Sequence, residues 1–409
     1  MTTPVLQILS AMVLFTLLVV LLAALVLLVR RRLTPHGRFS VTVNDQRTLN
    51  ARAGDRLLWT LADGGVLLPA ACGGRGSCGQ CRVTLTRGAG PALPTERAHI
   101  SRAAARHGVR LACMVTVRDD LAVQVPAELL SVRRWHCRVR QTRALTPFLR
   151  ELTLEFPDGE CMPYQAGDYV LLEAPPGRVA LADVRVEPRF APDWQPLRHL
   201  AVTLEDVTVR AYSLASHPGE RDLVRLVIRL ATPPASAPQD TPPGRVSSWL
   251  FTVSEGMPIT LRGPFGEFHL RPGTREKVFI GGGAGIAPMR SLIHDLLENR
   301  ASSVPVSFWY GARNLRELCY RDEFAALAAR YPNFSYQVAL SAPDPDDHWT
   351  GPTGFIHRVV LEQYLNDHPA PEEAEYYLCG PPLMASAVLA ALEDLGVERD
   401  SILFDDFGP

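Results

Sequence analysis

The sequence predicts a multidomain chain in four parts: an N-terminal transmembrane helix, a small α+β domain, an antiparallel β-barrel, and an α/β domain built on a parallel sheet. Three observations carry that reading. Val5 to Val29 runs for twenty-five residues without a charge, strand-like runs divided by Gly/Pro turns fill Arg133 to about Leu270, and strands alternate with helices from Glu276 onward. At 409 residues the chain exceeds what one core organises, at roughly 100–200 residues per domain. The expected boundaries are 1–37 for anchor and linker, 38–131 for the α+β domain, 132–273 for the barrel and 274–409 for the α/β domain. With 42 basic and 43 acidic side chains the formal charge is −1, which excludes a global basic field that would recruit nucleic acid.

A helix over Val5 to Val29 would rise about 37 Å, enough to cross a hydrocarbon core of about 30 Å with some tilt. A cleaved signal peptide is the alternative, and it calls for basic residues before the apolar run and a small-residue cleavage site after it. Here nothing basic precedes the run, and Arg30, Arg31 and Arg32 follow it directly. This pattern predicts a retained single-pass anchor with the long C-terminal portion in the cytoplasm.

In the next part, Arg38 to Asn44 alternates as a strand, and Leu57, Leu58 and Leu61 fall at helical spacing. After a cysteine loop come a strand at Arg82 to Thr86, a helix near Glu96 to His107 and a strand at Leu121 to Val125. In a reducing compartment clustered thiols bind metal more often than they pair. Cys72, Cys78 and Cys81 lie in one glycine-rich loop, CGGRGSCGQC, and Cys113 returns after thirty-one intervening residues. Four thiolates suit a 2Fe-2S cluster, whose sulfurs the interleaved glycines let backbone N–H groups approach. The alternative is structural zinc, which usually draws on two paired knuckles, and only one CxxC is present. Cys137, Cys161 and Cys319 are isolated and are expected to be ordinary buried thiols.

The barrel part offers the runs WHCRVRQT, LRELTLEF, DYVLLEA, VTVRAYSL, LVRLVIRLA and MPITLRG, interrupted at Ala174 to His199 and at the Pro-rich Thr232 to Pro243. Within it, Arg210-Ala211-Tyr212-Ser213 is followed about thirty residues on by Pro243-Gly244-Arg245-Val246-Ser247-Ser248. A flavin needs an aromatic face, a donor near N5, and cationic or N–H partners for its pyrophosphate. Tyr212 is the candidate for stacking, Ser213 for N5 and Arg210 for the pyrophosphate, with Gly244, Val246 and Ser247 opening a helix whose free N–H groups hold phosphate. Taken alone, RAYS could be four ordinary strand residues; the second motif is what raises it.

In the α/β part, Ile280-Gly281-Gly282-Gly283-Ala284-Gly285-Ile286-Ala287-Pro288 follows a strand and opens a helix. Gly282, Gly283 and Gly285 would let backbone approach a dinucleotide pyrophosphate, although the spacing is not a strict GxGxxG. A second strand-to-helix turn, Cys379-Gly380-Pro381-Pro382, joins it at the carboxyl ends of the strands, where open parallel sheets bind ligands.

The cysteine loop resembles the ferredoxins, implying an α+β ferredoxin-like β-grasp domain. Its five residues between the first two cysteines, against four in plant-type proteins, resemble ferredoxin domains fused to reductases. RxYS, GGGxGIAP and CGPP in this order resemble the ferredoxin:NADP reductase superfamily. That resemblance implies FAD on the barrel, Cys379 beside the nicotinamide, and Phe407 covering the flavin face; the alternative for Phe407 is a buried strand residue. It also sets the loop Gly311-Ala312-Arg313-Asn314 against the adenosine ribose, where Arg313 could hold a 2′-phosphate or stack on adenine.

The order of the four parts, with RAYSLAS, SFWYGARN, LRELCYRDEF, WTGPTGFIH, CGPPLM and the ending LFDDFG, resembles the F subunits of the sodium-translocating NADH:quinone oxidoreductases. The resemblance implies a bacterial inner-membrane protein that passes hydride from NADH to FAD, then single electrons through the cluster to a membrane partner. The anchor has no ionisable residue, so sodium transport and quinone reduction belong to other subunits. An oxygenase reductase is the alternative, and such proteins generally lack the anchor. A tethered, non-catalytic binding module would show damaged motifs, and these are intact.

Overall fold

The computed structural model describes residues 12–25, 28, 37–130, 132–157, 159–234, 236–238 and 241–405. Residues 12–25 and 28 are helical, and the rest of the expected Val5–Val29 span lies outside the described residues. Among the described residues no helix is long and apolar enough to cross a membrane. They fall into two compact units, one drawn from 1–68 and 74–130, the other from 69–73 and 131–409.

The first unit is a five-stranded mixed sheet. Strands β1 (Arg38–Val43) and β2 (Arg47–Arg52) form an antiparallel hairpin, and β3 (Arg82–Arg87), β4 (Val109–Leu111) and β5 (Leu121–Gln124) complete the order β2-β1-β5-β3-β4. The central pair β1/β5 is parallel, which requires a long crossover, and helix α1 (Leu57–Asp63) lies within it. Leu57, Leu58 and Leu61 are buried, as their spacing requires of one helix face. Edge strand β2, RTLNAR, alternates only through Leu49 and Ala51, too short an apolar pattern to mark a strand. The helix expected near Glu96 to His107 is broken. A 3₁₀ turn spans Glu96–Ala98, and helix α2 (Arg102–Arg106) restarts behind Ser101, whose Oγ accepts from Ala104 N at 3.1 Å. The break follows from the buried Glu96 carboxylate, which accepts from Leu93 N at 2.7 Å and Leu111 N at 2.9 Å.

The second unit holds a six-stranded and a five-stranded sheet, together with a two-stranded pair. The first has strands β6 (Arg133–Thr146), β7 (Leu149–Glu155), β8 (Tyr169–Ala174), β11 (Thr208–Ser213), β12 (Leu223–Arg229) and β13 (Pro258–Phe265) in the antiparallel order β11-β8-β13-β6-β7-β12. Its two edges meet at an antiparallel bridge, Leu214 to Leu226, and Ala215 N donates to Arg225 O at 2.7 Å. Curling the sheet onto itself in this way satisfies its edges.

The stretch Ala174 to His199 has more structure than a loop. Strand β9 (Gly177–Ala180) pairs with β10 (Ala201–Leu204), and short helix α3 (Ala191–Trp194) buries Trp194 against Phe148 and Phe251, with its indole N–H on Pro147 O at 2.8 Å. Its elements are too short to show periodicity, so only the buried indole reveals the packing. Helix α4 (Arg245–Thr252) begins at Gly244.

The second sheet alternates strand and helix: β14 (Lys277–Gly282), α5 (Ile286–His294), β15 (Val306–Ala312), α6 (Arg321–Arg330), β16 (Phe334–Leu340), α7 (Ile356–Gln363), β17 (Glu375–Cys379), α8 (Pro382–Asp394) and β18 (Ile402–Asp405). All pairs are parallel, in the order β16-β15-β14-β17-β18. Its strands read as apolar runs because both faces are covered.

Candidate functional site

The chain moves outward to one side of β14 through β15 and to the other through β17, so the strand order reverses at β14. Ligands of open α/β sheets bind beyond the carboxyl ends at such a point. The two turns singled out in the sequence both leave from there: Gly281 is in register with Cys379, so Gly282–Gly285 and Cys379–Pro382 emerge from adjacent strands. A Cβ on Gly285 would lie 2.1 Å from the Cys379 carbonyl oxygen, so the start of α5 meets the end of β17 at a distance only glycine permits. Met384 lies across both turns, 2.8 Å from where a Gly282 Cβ would sit and 2.4 Å from that of Gly380. The Tyr310 phenol donates to the Gly283 carbonyl at 3.1 Å. Pro381 precedes α8, and Cys379 is fully buried at the end of β17.

Strand β11 carries Arg210, Tyr212 and Ser213 and is held by its ladder to β8. Ser213 is buried, and its hydroxyl donates to the Asp405 carboxylate at 3.0 Å. Asp405 is in register with Cys379, so the last residue of RAYS reaches the C-terminal strand beside the CGPP turn. Burial pushes the Tyr212 phenol well above its ordinary value against the pull of Arg210, and the ring stays neutral. One Arg210 Nη1–H donates to Val209 O at 2.7 Å. At the second motif Ser247 is turned inward: its Oγ accepts from Ala231 N at 3.2 Å and donates to Gly244 O at 3.2 Å. Val246 is buried beneath the helix. A phosphate at this turn would therefore meet backbone N–H groups rather than the Ser247 hydroxyl.

Three residues that sequence reading missed join the two sheets. Arg290 on α5 donates to Ala215 O at 2.7 Å and pairs with Glu220 at 3.0 Å and Glu323 at 2.8 Å; Ser291 Oγ donates to Ser216 O at 2.6 Å. The segment immediately after RAYS is thus clamped to the helix that starts at GGGAGIAP. Asp405 is the third. An arginine in a mainly apolar helix was the legible signal, since a buried guanidinium requires carboxylate partners.

In the cysteine loop, Cys81 and Cys113 are brought together by the β3/β4 pairing, in which Arg82 faces Leu111 and Ala112 N donates to Cys81 O at 2.8 Å. Cys72, Cys81 and Cys113 are buried and Cys78 is half-buried. Positive φ at Gly74, Gly76 and Gly79 makes the intervening loop glycine-dependent. Among the isolated cysteines, Cys137 and Cys319 are buried as expected. Cys161 is exposed, because the next residue, Met162, takes the inward position. Phe407 lies outside the described residues.

Residues 41–118 match the 2Fe-2S iron-sulfur cluster binding domain, 195–270 the oxidoreductase FAD-binding domain and 279–389 the oxidoreductase NAD-binding domain. Among solved structures, an Amycolatopsis cytochrome P450 reductase, GcoB, is similar at TM-score 0.63 and 25% identity, covering 91% of this chain and 99% of that one. A ferredoxin reductase in carbazole 1,9a-dioxygenase is similar at TM-score 0.59 and 26% identity, with the same coverage. The F subunit of the Na(+)-translocating NADH-quinone reductase of Klebsiella pneumoniae is 47% identical over 406 residues, 98% of this chain and 100% of the relative. That of Pseudomonas aeruginosa is 46% identical over 404 residues, 98% and 99%. With three cofactor domains in this order and this likeness along nearly its whole length, the chain belongs to the family of F subunits of the Na(+)-translocating NADH-quinone reductases.

Proposed function

We propose that this chain is the electron-input component of a sodium-translocating NADH:quinone oxidoreductase, oxidising NADH and delivering single electrons to a membrane partner. The likeness at 47% over 98% of the chain, against 25–26% for the oxygenase-system reductases, favours this reading over the oxygenase alternative. The observation that carries it is the joining of the RAYS strand to the two glycine turns through Ser213–Asp405 and the Arg290/Ser291 clamp.

On this reading residues 38–131 hold the cluster, 132–273 FAD and 274–409 NADH. Cys72, Cys78, Cys81 and Cys113 supply four thiolates to the cluster. Tyr212 presents an aromatic face to the flavin, Ser213 a hydroxyl at N5, and Arg210 a cation to the pyrophosphate. Gly244 and the backbone of Val246 and Ser247 supply N–H donors there. Gly282, Gly283 and Gly285 admit the nicotinamide dinucleotide's pyrophosphate, while Gly380 and Pro381 shape the turn that places Cys379 near its ring. Phe407 caps the flavin until the nicotinamide enters. When bound, FAD accepts a hydride's two electrons and the cluster carries one at a time. With its single hydrogen on the Asp405 carboxylate the Ser213 hydroxyl has only lone pairs to offer, so it serves as the expected donor at N5 only on turning away from Asp405.

The anchor reading extends through residues 12–25. Met12, Leu14, Phe15, Leu17 and Leu21 expose more than 60% of their surface, and the Thr16 hydroxyl is satisfied within the helix by Met12 O at 2.8 Å. Apolar exposure with every polar group bonded internally is what lipid demands. On this reading the protein sits in a bacterial inner membrane, single-pass, with its large domains in the cytoplasm.

Anaerobic titration with NADH tests the function: both flavin and cluster absorption should bleach. Cys113→Ala should remove the cluster bands while NADH still bleaches FAD. A preparation that binds flavin but no iron, or unchanged cluster absorption in the variant, would overturn the assignment.

A further inference from the structure

His217 lies in the segment that follows the RAYS strand, and His294 is the last residue of helix α5, which runs on through a π-helical turn, Asp295–Asn299, carrying Glu298. Packing of the two sheets stacks the imidazoles, with ring centroids 5.4 Å apart and planes 11° from parallel. His217 Nε2, His294 Nδ1 and a Glu298 carboxylate oxygen all lie within 4.8 Å of one another. His294 is buried, His217 half-buried and Glu298 exposed, so solvent reaches the cluster from the Glu298 side.

The partners of these side chains orient them as ligands. Glu323 meets His294 Nε2 at 2.7 Å and is itself held by Arg290 at 2.8 Å. Such a carboxylate fixes the ring hydrogen of a metal-bound histidine and leaves the other nitrogen's lone pair facing the metal. Here that nitrogen, Nδ1, faces Glu298 Oε2 at 2.8 Å. Two acceptors so close require a positive partner, either a second ring proton or a metal ion. His217 Nε2 lies 3.9 Å from Glu298 Oε2 and 3.9 Å from Glu220 Oε2, beyond hydrogen-bond length of both. Glu220 is committed to Arg225 at 2.7 Å and Arg290 at 3.0 Å, and together with Glu323 it offsets the Arg290 charge that would otherwise repel a cation.

From this arrangement we infer that His217, His294 and Glu298 form a zinc site that staples the segment after RAYS to the helix opened by GGGAGIAP. Two imidazoles and a carboxylate, with solvent in the fourth position, are a donor set suited to tetrahedral zinc. Bonds of about 2.0–2.1 Å put tetrahedral neighbours roughly 3.3 Å apart, so the exposed Glu298 carboxylate needs to move only about half an ångström away from His294 and toward His217. One further group must turn. His217 Nδ1 accepts from Asn299 Nδ2 at 3.0 Å and from Gly219 N at 3.3 Å. Zinc on Nε2 places the ring hydrogen on Nδ1, so the Asn299 amide turns over to accept it and the exposed Gly219 N–H goes to solvent. Asn299 thereby releases Asp295, which keeps Arg300 at 2.7 Å.

The test is calorimetric titration with zinc of the full chain, chelator-treated and with FAD and cluster in place, for the parent protein, His217→Asn and Glu298→Gln. The parent should take up one zinc per chain, and either variant should weaken that binding about tenfold or more. Glu298 is exposed, so its variant keeps the fold and isolates the loss of a ligand. Zinc should raise the melting temperature of the parent and leave that of the variants unchanged. X-ray absorption at the zinc edge should show nitrogen and oxygen neighbours at about 2.0–2.1 Å and no sulfur near 2.3 Å. No uptake at one equivalent, equal affinity in the parent and both variants, or sulfur around the zinc, which would make a cysteine the ligand, would each overturn the inference.

Discussion

Replacing Gly285 by alanine puts the proposed nucleotide turn under a defined load. The new Cβ would stand 2.1 Å from the Cys379 carbonyl oxygen, 2.5 Å from its carbon and 2.9 Å from Gly380 N, all backbone atoms. Ordinary contact begins near 3.4 Å, so α5 must retreat from the end of β17 by about 1 Å. Overpacking of this kind costs about 1–3 kcal/mol. In a unit of this size that lowers the melting temperature by roughly 2–10 °C. The retreat also separates the two turns that would bracket the dinucleotide, and a misplacement of about 1 Å can cost on the order of 100-fold in rate. Stopped-flow bleaching of bound FAD by NADH should therefore show kcat/KM reduced by about 10- to 100-fold, while FAD content, which the proposed function assigns to β11 and α4, stays at the parent level. Gly281→Ala is the control. Its Cβ would meet only side chains, Phe308 at 3.3 Å and Met289 at 3.4 Å, which can adjust. A Gly285→Ala protein with parental melting temperature and kcat/KM would refute the close-approach argument.

Two further outcomes follow from buried groups. Burial, assisted by His294 and Arg290, holds the His217 imidazole below its ordinary value despite the pull of Glu220. The unfolded chain then binds the proton more readily, so stability falls as pH drops from about 6.5 through the lowered folded value. Glu220 and Glu323, held below their ordinary carboxylate values by Arg290, Arg225 and His294 despite burial, give way only in a lower pH range. Melting temperature measured from pH 7.5 to 5.5 should decline in the parent and decline less in His217→Asn; equal slopes would contradict this. Separately, burial pushes the Cys137 and Cys319 thiols up to about 12, whereas Cys161 is exposed. Iodoacetamide at pH 8 should label Cys161 in the folded protein and spare the other two, as peptide mapping would reveal.

The motifs were legible because each imposes a local demand. A turn beside a pyrophosphate needs glycine, four thiolates need spacing that folds back on itself, and parallel strands covered on both faces need apolar runs. Those demands appear as residue types in GGGAGIAP, in CGGRGSCGQC and in KVFI. Edge strand β2 and the α3 insertion were illegible for the opposite reason. The first buries little, and the second buries Trp194 without any period. The exposure of Cys161 was equally illegible, because a cysteine has no preference strong enough to decide between itself and neighbouring Met162 for the inward position.

By itself, the sequence determined the order of the parts, the ligand types and the apolar N-terminal run, since these depend on residues close together in the chain. Only the tertiary structure decided which distant residues act on one another. Ser213 and Asp405 stand 192 positions apart, and Arg290 reaches Ala215 across 75. No periodicity encodes such pairs. A buried hydroxyl or guanidinium must find a partner, and which partner it finds is fixed only once the barrel and the parallel sheet have packed.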